Sequence, residues 1–211
     1  MFELCLPSRE GKIPLYLLQK MSGVKYNVVM TPSIANARNL CFHKAYRSQK
    51  HVIMLDDDIE PVLSLNEITD IAEEHFKEGY DVVCGFYWLK TNLGVSVGVK
   101  GDKAPLFGLL PSNEVVWFPS VTMKPTPVDV CGTGFIIVSN DFIKRTYGST
   151  WFDFKILDYD KMKVMGEDVY FFTTWKPKTI ADPRLVAYHH LSGTLAFDWR
   201  GILVQRGELD V

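Results

Sequence analysis

The sequence predicts an α/β domain with a mostly parallel central sheet that is flanked by helices. Over residues 1–90, short apolar segments typical of strands alternate with segments of helical periodicity. In such an order of elements, each helix joins two parallel strands through a right-handed crossover. Three consecutive acids, Asp56, Asp57 and Asp58, directly follow one of these strands. Ligands of such sheets bind at the carboxyl ends of the strands, so these acids mark the expected site.

The elements of the first half follow one another in regular order. The predicted strands are short and apolar and cover residues 2–6, 26–30, 51–55 and 81–88. The predicted helices have apolar residues at helical spacing and cover residues 14–21, 33–49 and 64–78. Pro7 ends the first strand. Ser64 and Glu67 have the spacing of a capping box at a helix start, and Gly79 ends that helix.

The second half of the chain has a different character. Residues 91–126 contain many Gly and Pro residues and only short β-like runs, which predicts hairpins and loops. Further along, strands are predicted at residues 135–138 and 184–190, and helices at residues 140–147 and 166–175. We therefore expect a smaller mixed β region beside the main sheet. No repeat, low-complexity tract or linker divides the chain, so a single domain is expected over residues 1–211.

The composition narrows the possible classes of function. A formal net charge of −2 lacks the strongly basic balance of nucleic-acid-binding proteins, so no nucleic-acid partner is expected. No signal peptide is visible at the N-terminus. No apolar run approaches the ~18 residues that are needed to span a bilayer. We therefore expect a cytoplasmic protein without a transmembrane segment.

The four cysteines are Cys5, Cys41, Cys84 and Cys131. None lies within four residues of another, so the close pairs that are typical of a zinc site are missing. Three of them lie in or beside apolar runs that are predicted as strands. This setting favours buried free thiols, which suit a reducing compartment.

The acidic run is the strongest local indication of chemistry. Three adjacent carboxylates repel one another unless something compensates their charge. A divalent cation does so, and Mg²⁺ and Mn²⁺ prefer carboxylate ligands together with substrate phosphates. Asp56 and Asp58 can point to the same side of the chain while Asp57 points away. A solvated acidic turn after the strand is the alternative interpretation.

Several motifs occur in an order that is typical of one known family. They are residues 35–39 with Arg38, residues 52–59 with the acidic run, residues 131–137 with two glycines, residues 166–168, and residues 189–194 with two histidines. Together they resemble the GT-A-fold glycosyltransferases, which have the nucleotide-diphospho-sugar transferase fold. The nearest resemblance is to the large inverting family with an Asp-x-Asp motif, often called family 2. It spans nearly the whole chain, except that residues 91–126 match nothing in it.

The resemblance implies a metal-dependent glycosyltransferase, which moves a sugar from a nucleotide-sugar donor to an acceptor hydroxyl and inverts the anomeric carbon. The donor it implies is a UDP- or GDP-sugar, and the acceptor is a glycan, a protein or a lipid. Mn²⁺ or Mg²⁺ is the implied cofactor. Residues 1–90 correspond to the nucleotide-sugar-binding half, and residues 91–211 to the acceptor-side and catalytic half.

The resemblance also assigns roles to individual residues. Asp168 is the expected general base, and Glu167 orients the base or the acceptor; without the resemblance, a pair of acids at a helix start is the better explanation. The expected metal ligands are Asp58, Asp56 and one of the adjacent pair His189 and His190, with His189 slightly favoured. The expected donor-binding residues are Pro7, Ser8, Arg9, Arg38, Asp56 and Asp57. The expected acceptor-side residues are Gly132, Thr133 and Gly134.

Two other functions compete with this interpretation. A nucleotidyltransferase acting on a sugar phosphate also uses a parallel sheet, a metal and a nucleotide, but it normally has a Gly-rich phosphate loop after the first strand. The corresponding loop here, residues 7–11, has one glycine. A non-catalytic protein that binds sugar nucleotides or glycans is the second alternative. The retained Asp58, Asp168 and histidine pair argue against such a loss of activity.

Overall fold

The computed structural model describes residues 1–8, 11, 13–21, 23–89, 95–100, 115–117, 121–158, 160, 163–191, 195–197 and 203–205. Its helices are α1 (Leu15–Lys20), α2 (Ile34–Ser48), α3 (Leu65–Lys77), α4 (Asn140–Arg145) and α5 (Glu167–Trp175). The capping box expected at Ser64 and Glu67 is present at the start of α3. Within the described ranges, no helix is long and apolar enough to cross a membrane.

The described strands form one large sheet and two small ones. In chain order they are β1 (Phe2–Ser8), β2 (Tyr26–Met30), β3 (His51–Leu55), β4 (Ile59–Pro61), β5 (Val82–Phe86), β6 (Val97–Lys100), β7 (Val115–Trp117), β8 (Thr126–Val128), β9 (Val130–Cys131), β10 (Phe135–Val138), β11 (Lys155–Asp158), β12 (Lys163–Met165), β13 (Thr179–Leu191), β14 (Leu195–Phe197) and β15 (Leu203–Gln205). The central strands of the large sheet have the order β2, β1, β3, β10, β5, β13.

The centre of the large sheet is mostly parallel, as expected. Strand β1 pairs in parallel with β2 and β3, and β13 pairs in parallel with β5. Strand β10 is antiparallel to both of its neighbours, β3 and β5. Five of these six strands therefore run in one direction, and β10 from the second half of the chain lies between two strands of the first half. This arrangement confirms the mixed α/β class.

Smaller β elements surround this centre. Strands β4, β8 and β14 add to β13 in antiparallel pairing. Strands β7, β6 and β9 form a three-stranded sheet, and β11 and β12 form a two-stranded one. The β11 and β12 pair was not predicted, because its short segments lack a clear alternation of apolar and polar residues.

Two strands of the large sheet extend beyond their predicted ends. β1 continues through Pro7 to Ser8, because its pairing with β3 ends at Cys5 and only β2 pairs with the last residues. Proline is tolerated at such one-sided positions of a sheet. β13 begins at Thr179 rather than near Arg184, because its register with β5 shifts between Ala181 and Val186. Pro183 lies within this irregular segment, and the run that was predicted as a strand begins directly after it.

The core lies on both faces of the large sheet. Successive residues of a strand point to opposite faces, so β3 sends Val52 and Met54 into one apolar cluster and Ile53 and Leu55 into the other. Helix α2 covers the first face, where Phe42 contacts the rings of buried aromatic residues from the second half. Helix α3 covers the second face with its buried apolar residues. The sheet therefore lies between two helical layers, and its strand ends can carry a site.

The expectation of free thiols is wrong. Cys5 is bonded to Cys41 and Cys84 to Cys131, so all four cysteines, which lie in the described ranges, form disulfides. The Cα atoms of the two pairs lie 5.8 Å and 6.5 Å apart, which is within the range that a disulfide spans. The partners are 36 and 47 residues apart along the chain, so only the tertiary fold brings them together. The cysteines therefore no longer argue for a reducing compartment.

Candidate active site

The acidic run lies in a turn at the carboxyl end of β3. The backbone N–H of Asp56 donates to the carbonyl of Gly134 at 2.9 Å, and the N–H of Ile59 donates to the carbonyl of Asp56 at 3.1 Å. The carbonyl of Asp58 accepts from the N–H of His190 at 2.8 Å. The turn is thus bound on one side by Gly134, which directly precedes β10, and on the other side by β13. This is the end of the sheet at which parallel α/β proteins bind their ligands.

Arg38 joins the acidic run to the start of α5. Its side chain is only 5% exposed, and its Nη2 lies 3.0 Å and 2.9 Å from the two carboxylate oxygens of Asp56. Its Nη1 donates to Oε1 of Glu167. Burial alone lowers the pKa of Arg38, but the carboxylates of Asp56, Glu167 and Asp168 outweigh burial and raise it above the ordinary value. The guanidinium therefore stays charged and binds two predicted site motifs that are far apart in sequence.

Asp168 lies beside Glu167 in the first turn of α5. One of its carboxylate oxygens, Oδ1, accepts the backbone N–H of Val169 at 2.9 Å. Burial raises the pKa of the Asp168 carboxyl above its usual range, and the charge of Glu167 raises it further, whereas Arg38 acts in the opposite direction. A carboxylate in this setting holds a proton more readily than an exposed aspartate does, which is the property of a general base that works near neutral pH.

The predicted acceptor-side glycines make room for the hydroxyl of Tyr87. A methyl group in place of the Gly134 hydrogen would lie 2.9 Å from the Tyr87 oxygen and 3.1 Å from Oδ2 of Asp56. At Gly132 it would come closer still to the same oxygen. The Tyr87 oxygen accepts the N–H of Gly134 at 3.1 Å. Burial raises the pKa of Tyr87, and the nearby carboxylates of Asp56 and Asp168 add to this effect.

Two buried polar atoms of this region have no hydrogen-bond partner within the part of the chain that the structure describes. They are the hydroxyl oxygen of Thr133, which lies between the two glycines, and Nε of Arg38. Buried polar groups are normally paired, so each such atom calls for an explanation. Both atoms belong to predicted motifs, Arg38 to residues 35–39 and Thr133 to residues 131–137.

The structure brings His189, and not His190, to the side chain of Asp58. Nε2 of His189 lies 3.5 Å from Oδ2 of Asp58, and Nδ1 of His189 lies 2.5 Å from the carbonyl of Trp88. A carbonyl only accepts, so Nδ1 carries the hydrogen and Nε2 is left as the atom that binds a proton or a cation. His190 instead has Nε2 at 2.7 Å from Glu60, and its ring stacks on Tyr16.

The loop that follows β1 approaches the acidic run through Ser8. The hydroxyl of Ser8 donates to Oδ2 of Asp57 at 2.8 Å and accepts the N–H of Gly11 at 3.0 Å. The hydroxyl of Tyr16 donates to the carbonyl of Asp57 at 2.8 Å. Pro7 is buried at the end of β1. Arg9, the remaining predicted donor-binding residue, lies outside the described residues.

A complete metal-binding cluster is not assembled from the described residues: no three of their His, Cys, Asp and Glu side chains converge on one point. Asp58 and His189 form a pair whose facing atoms are 3.5 Å apart. Ligand atoms bind Mg²⁺ at about 2.1 Å, so a pair at this distance can contact one cation from two sides. Asp56 is less suited to this role because both of its oxygens are bound by Arg38.

The positioning roles of several residues were not predicted from the sequence. The Gly-x-Gly spacing at residues 132–134 signals a close approach of another group, and in the structure this group is the hydroxyl of Tyr87. Glu60 and Tyr16 were not singled out, and no local pattern marks their contacts with His190. Asn39 binds the backbone of Trp151 and Phe152, which lie more than 100 residues further along the chain.

A solved structure matches this chain over its full length. No protein-family model matches the chain, and no curated protein matches its sequence. The crystal structure of A197 from STIV is 26% identical, with a TM-score of 0.76 over 100% of this chain and 96% of that one. The two chains therefore share their overall fold.

Two more distant matches carry names of nucleotidyltransferases. One is a Bacillus anthracis structure assigned as a glucose-1-phosphate thymidylyltransferase, with 9% identity and a TM-score of 0.43 over 86% of each chain. The other is an apo UDP-glucose pyrophosphorylase, with 8% identity and a TM-score of 0.40 over 89% of this chain and 76% of that one. At TM-scores below 0.5, these two similarities identify neither the fold nor the activity of this chain.

Proposed function

We propose that this chain is a metal-dependent glycosyltransferase of the GT-A fold, which moves a sugar from a UDP- or GDP-sugar to a hydroxyl of a glycan, protein or lipid acceptor. The observation that carries the proposal is the Arg38 bridge. It gathers the acidic turn after β3 and the acids at the start of α5 into one site, although these motifs are 111 residues apart between Asp56 and Glu167.

The charge of the site supports a cation-assisted reaction on a diphosphate. Three carboxylates act on the buried guanidinium of Arg38: Asp56, Glu167 and Asp168. Asp57 and Asp58 add two further carboxylates in the same acidic turn. Such a surface repels a nucleoside diphosphate unless a divalent cation stands between them. Asp58 and His189 are the residues that would hold Mn²⁺ or Mg²⁺, with the phosphates of the donor as further ligands. The cation would supply Lewis-acid stabilisation of the charge on the leaving diphosphate.

The residues of α5 support a single displacement. The carboxylate of Asp168 takes the proton of the acceptor hydroxyl while that oxygen attacks the anomeric carbon and the bond from this carbon to the diphosphate oxygen breaks. Glu167 is held by Arg38 and raises the pKa of Asp168, so it tunes the base rather than replacing it. Because the attack and the departure occur on opposite faces of the sugar, the anomeric configuration inverts.

Donor binding is tested by the thermal stability of the protein with a panel of UDP-, GDP-, CMP- and dTDP-sugars, each with and without Mn²⁺. A donor at 100 times its Kd adds about 2.7 kcal/mol to the stability of the native state. For a chain of this length, that raises Tm by about 5–10 °C. Asp58→Asn should abolish the Mn²⁺-dependent part of the shift, and Asp70→Asn on the exposed side of α3 is the matched control. A full Mn²⁺-dependent shift in Asp58→Asn would refute the metal assignment.

A further inference from the structure

A second cleft lies on the outer side of α2. Three residues of this helix line it, Asn36, Asn39 and His43, and residues 147–151 form its opposite wall. The cavity has a volume of about 430 Å³, which lies within the range of small-molecule sites. Residues at positions i, i+3 and i+7 share one helix face. Arg38 is buried on the opposite face of α2, so this cleft is separate from the acidic site.

The walls of the cleft are held in place before any ligand binds. The side-chain oxygen of Asn39 accepts the backbone N–H groups of Trp151 and Phe152 at 3.0 Å each, and its amide donates to the carbonyl of Phe152 at 2.8 Å. The ring of Tyr147 stacks on Tyr46 with 3.6 Å between the ring centroids. A cleft that is fixed in this way loses little conformational entropy when a ligand enters it.

The chemistry of the lining selects for a neutral, hydroxyl-rich ligand. Within the described part of the chain, no Asp, Glu, Lys or Arg lines the cleft. The lining combines aromatic rings, such as that of Tyr147, which is 45% exposed, with the amide of Asn36 and the hydroxyls of Ser149 and Thr150. Amides and hydroxyls exchange hydrogen bonds with sugar hydroxyls, and an aromatic face covers the apolar C–H face of a sugar ring. The described lining therefore offers no Lys or Arg side chain to pair with a nucleotide or another anion.

We propose that this cleft is a carbohydrate-binding site for a neutral sugar unit, with Tyr147 as the stacking residue and Asn36 as a hydrogen-bonding residue. The proposal stands independently of glycosyl transfer at the acidic site, because it uses none of the residues there. If the chain both transfers a sugar at the acidic site and binds a sugar in this cleft, the cleft binds a neutral glycan at a distance from the reacting atoms.

The test is saturation-transfer difference NMR on the full chain with three probes: methyl α-D-glucopyranoside, methyl α-D-mannopyranoside and methyl β-D-galactopyranoside. At least one probe should give a saturable signal at millimolar concentration. Tyr147→Ala removes the stacking ring, and Asn36→Asp keeps the shape of an exposed side chain but adds a charge. Each should weaken binding roughly tenfold. The matched controls are Phe154→Ala, an equally exposed aromatic residue, and Asn66→Asp, an exposed amide on α3.

The outcomes separate this site from the acidic one. Binding that is weakened by Asn36→Asp and kept in Asp58→Asn supports the proposal, whatever the nucleotide-sugar panel gives. Three probes without a saturable signal in the wild-type protein would overturn it. Binding that survives both Tyr147→Ala and Asn36→Asp would also overturn it, as would binding that is lost in Asp58→Asn. Asn36 is exposed, so Asn36→Asp should leave the fold intact. The test therefore remains decisive even if Tyr147→Ala fails to fold.

Discussion

Arg38 is the residue on which the candidate active site depends most. A buried guanidinium is costly unless carboxylates surround it, and here two carboxylates bind it directly. From the sequence, the residue was predicted only to bind the donor. In the structure, both oxygens of Asp56 and one of Glu167 bind its terminal nitrogens, so its evident role is to position these acids. Sequence alone suggested the residue but not its partners, because Glu167 lies 129 residues away.

If the proposed glycosyl transfer uses Asp168 as its base, the pH dependence of the rate follows from the environment of this residue. A general base must be deprotonated, so the rate falls as the pH drops through its pKa. Burial and the charge of Glu167 raise that pKa. The acid limb of the pH–rate profile should therefore lie at a higher pH than the pKa of an ordinary aspartate would give. Glu167→Gln removes one of these causes, and the acid limb should therefore move to lower pH. Glu78→Gln, at an exposed carboxylate, should leave the limb in place. An unchanged limb in Glu167→Gln would remove Asp168 as the base.

Gly132 is required because the Tyr87 hydroxyl occupies the space that a side chain would fill. Gly132→Ala forces the new methyl group against this hydroxyl, and overpacking of this kind costs roughly 1–3 kcal/mol. Tyr87→Phe removes the oxygen, so the double variant should recover part of the lost stability in denaturant unfolding. The nearest remaining ring atom, Cζ, would lie 3.2 Å from the methyl group. Additive losses in the double variant would show that the two positions do not clash.

The elements of the site are tied together by the two disulfides. Cys5 on β1 lies three residues before Ser8, and its partner Cys41 lies three residues after Arg38 on α2. Cys84 on β5 lies three residues before Tyr87. Its partner Cys131 directly precedes Gly132, the first of the two glycines that contact Tyr87. Each disulfide therefore links two elements that carry site residues, and loss of either bond should loosen the site as well as the fold.

Thiol counting tests the disulfides directly. Protein that is purified without reductant and then denatured should bind no alkylating reagent, and after reduction it should bind four equivalents by mass spectrometry. Replacing Cys84 and Cys131 by Ala should lower the free energy of unfolding by about 2–5 kcal/mol. This difference should shrink when wild-type and variant are compared under reducing conditions. Four reactive thiols in the unreduced protein would restore the free-thiol interpretation.

Some elements were predicted more accurately than others, and the reasons are physical. Helices α2 and α3 have N-cap serines and apolar stripes, which are local signals, and both were predicted nearly to their ends. Strand β13 was predicted too short because its irregular register is set by pairing with β5 and β4, which are distant in sequence. The two disulfides were not predicted, for the same reason. Their geometry exists only once β1 and α2, or β5 and β9, have packed together.

At the scale of the whole molecule, the periodicity of the sequence predicted the class of the fold and the position of the acidic run. The strand and helix alternation gave the α/β class, and the acidic run was correctly expected at the carboxyl end of β3. The packing of α5 against the same site could not be derived from periodicity. It depends on the Arg38 contacts and on β10 entering the sheet between β3 and β5.

The products formed from a nucleotide-sugar test the central claim most directly. The protein is incubated with UDP- and GDP-sugars, Mg²⁺ and a panel of acceptor alcohols and glycans, and the phosphorus species are followed by ³¹P NMR. We predict release of nucleoside diphosphate that requires the metal and an acceptor, and that falls by roughly 10²–10⁴-fold in Asp168→Asn while donor binding persists. Formation of nucleoside triphosphate and sugar 1-phosphate on addition of pyrophosphate, with no release of nucleoside diphosphate, would contradict glycosyl transfer and identify a nucleotidyltransferase instead.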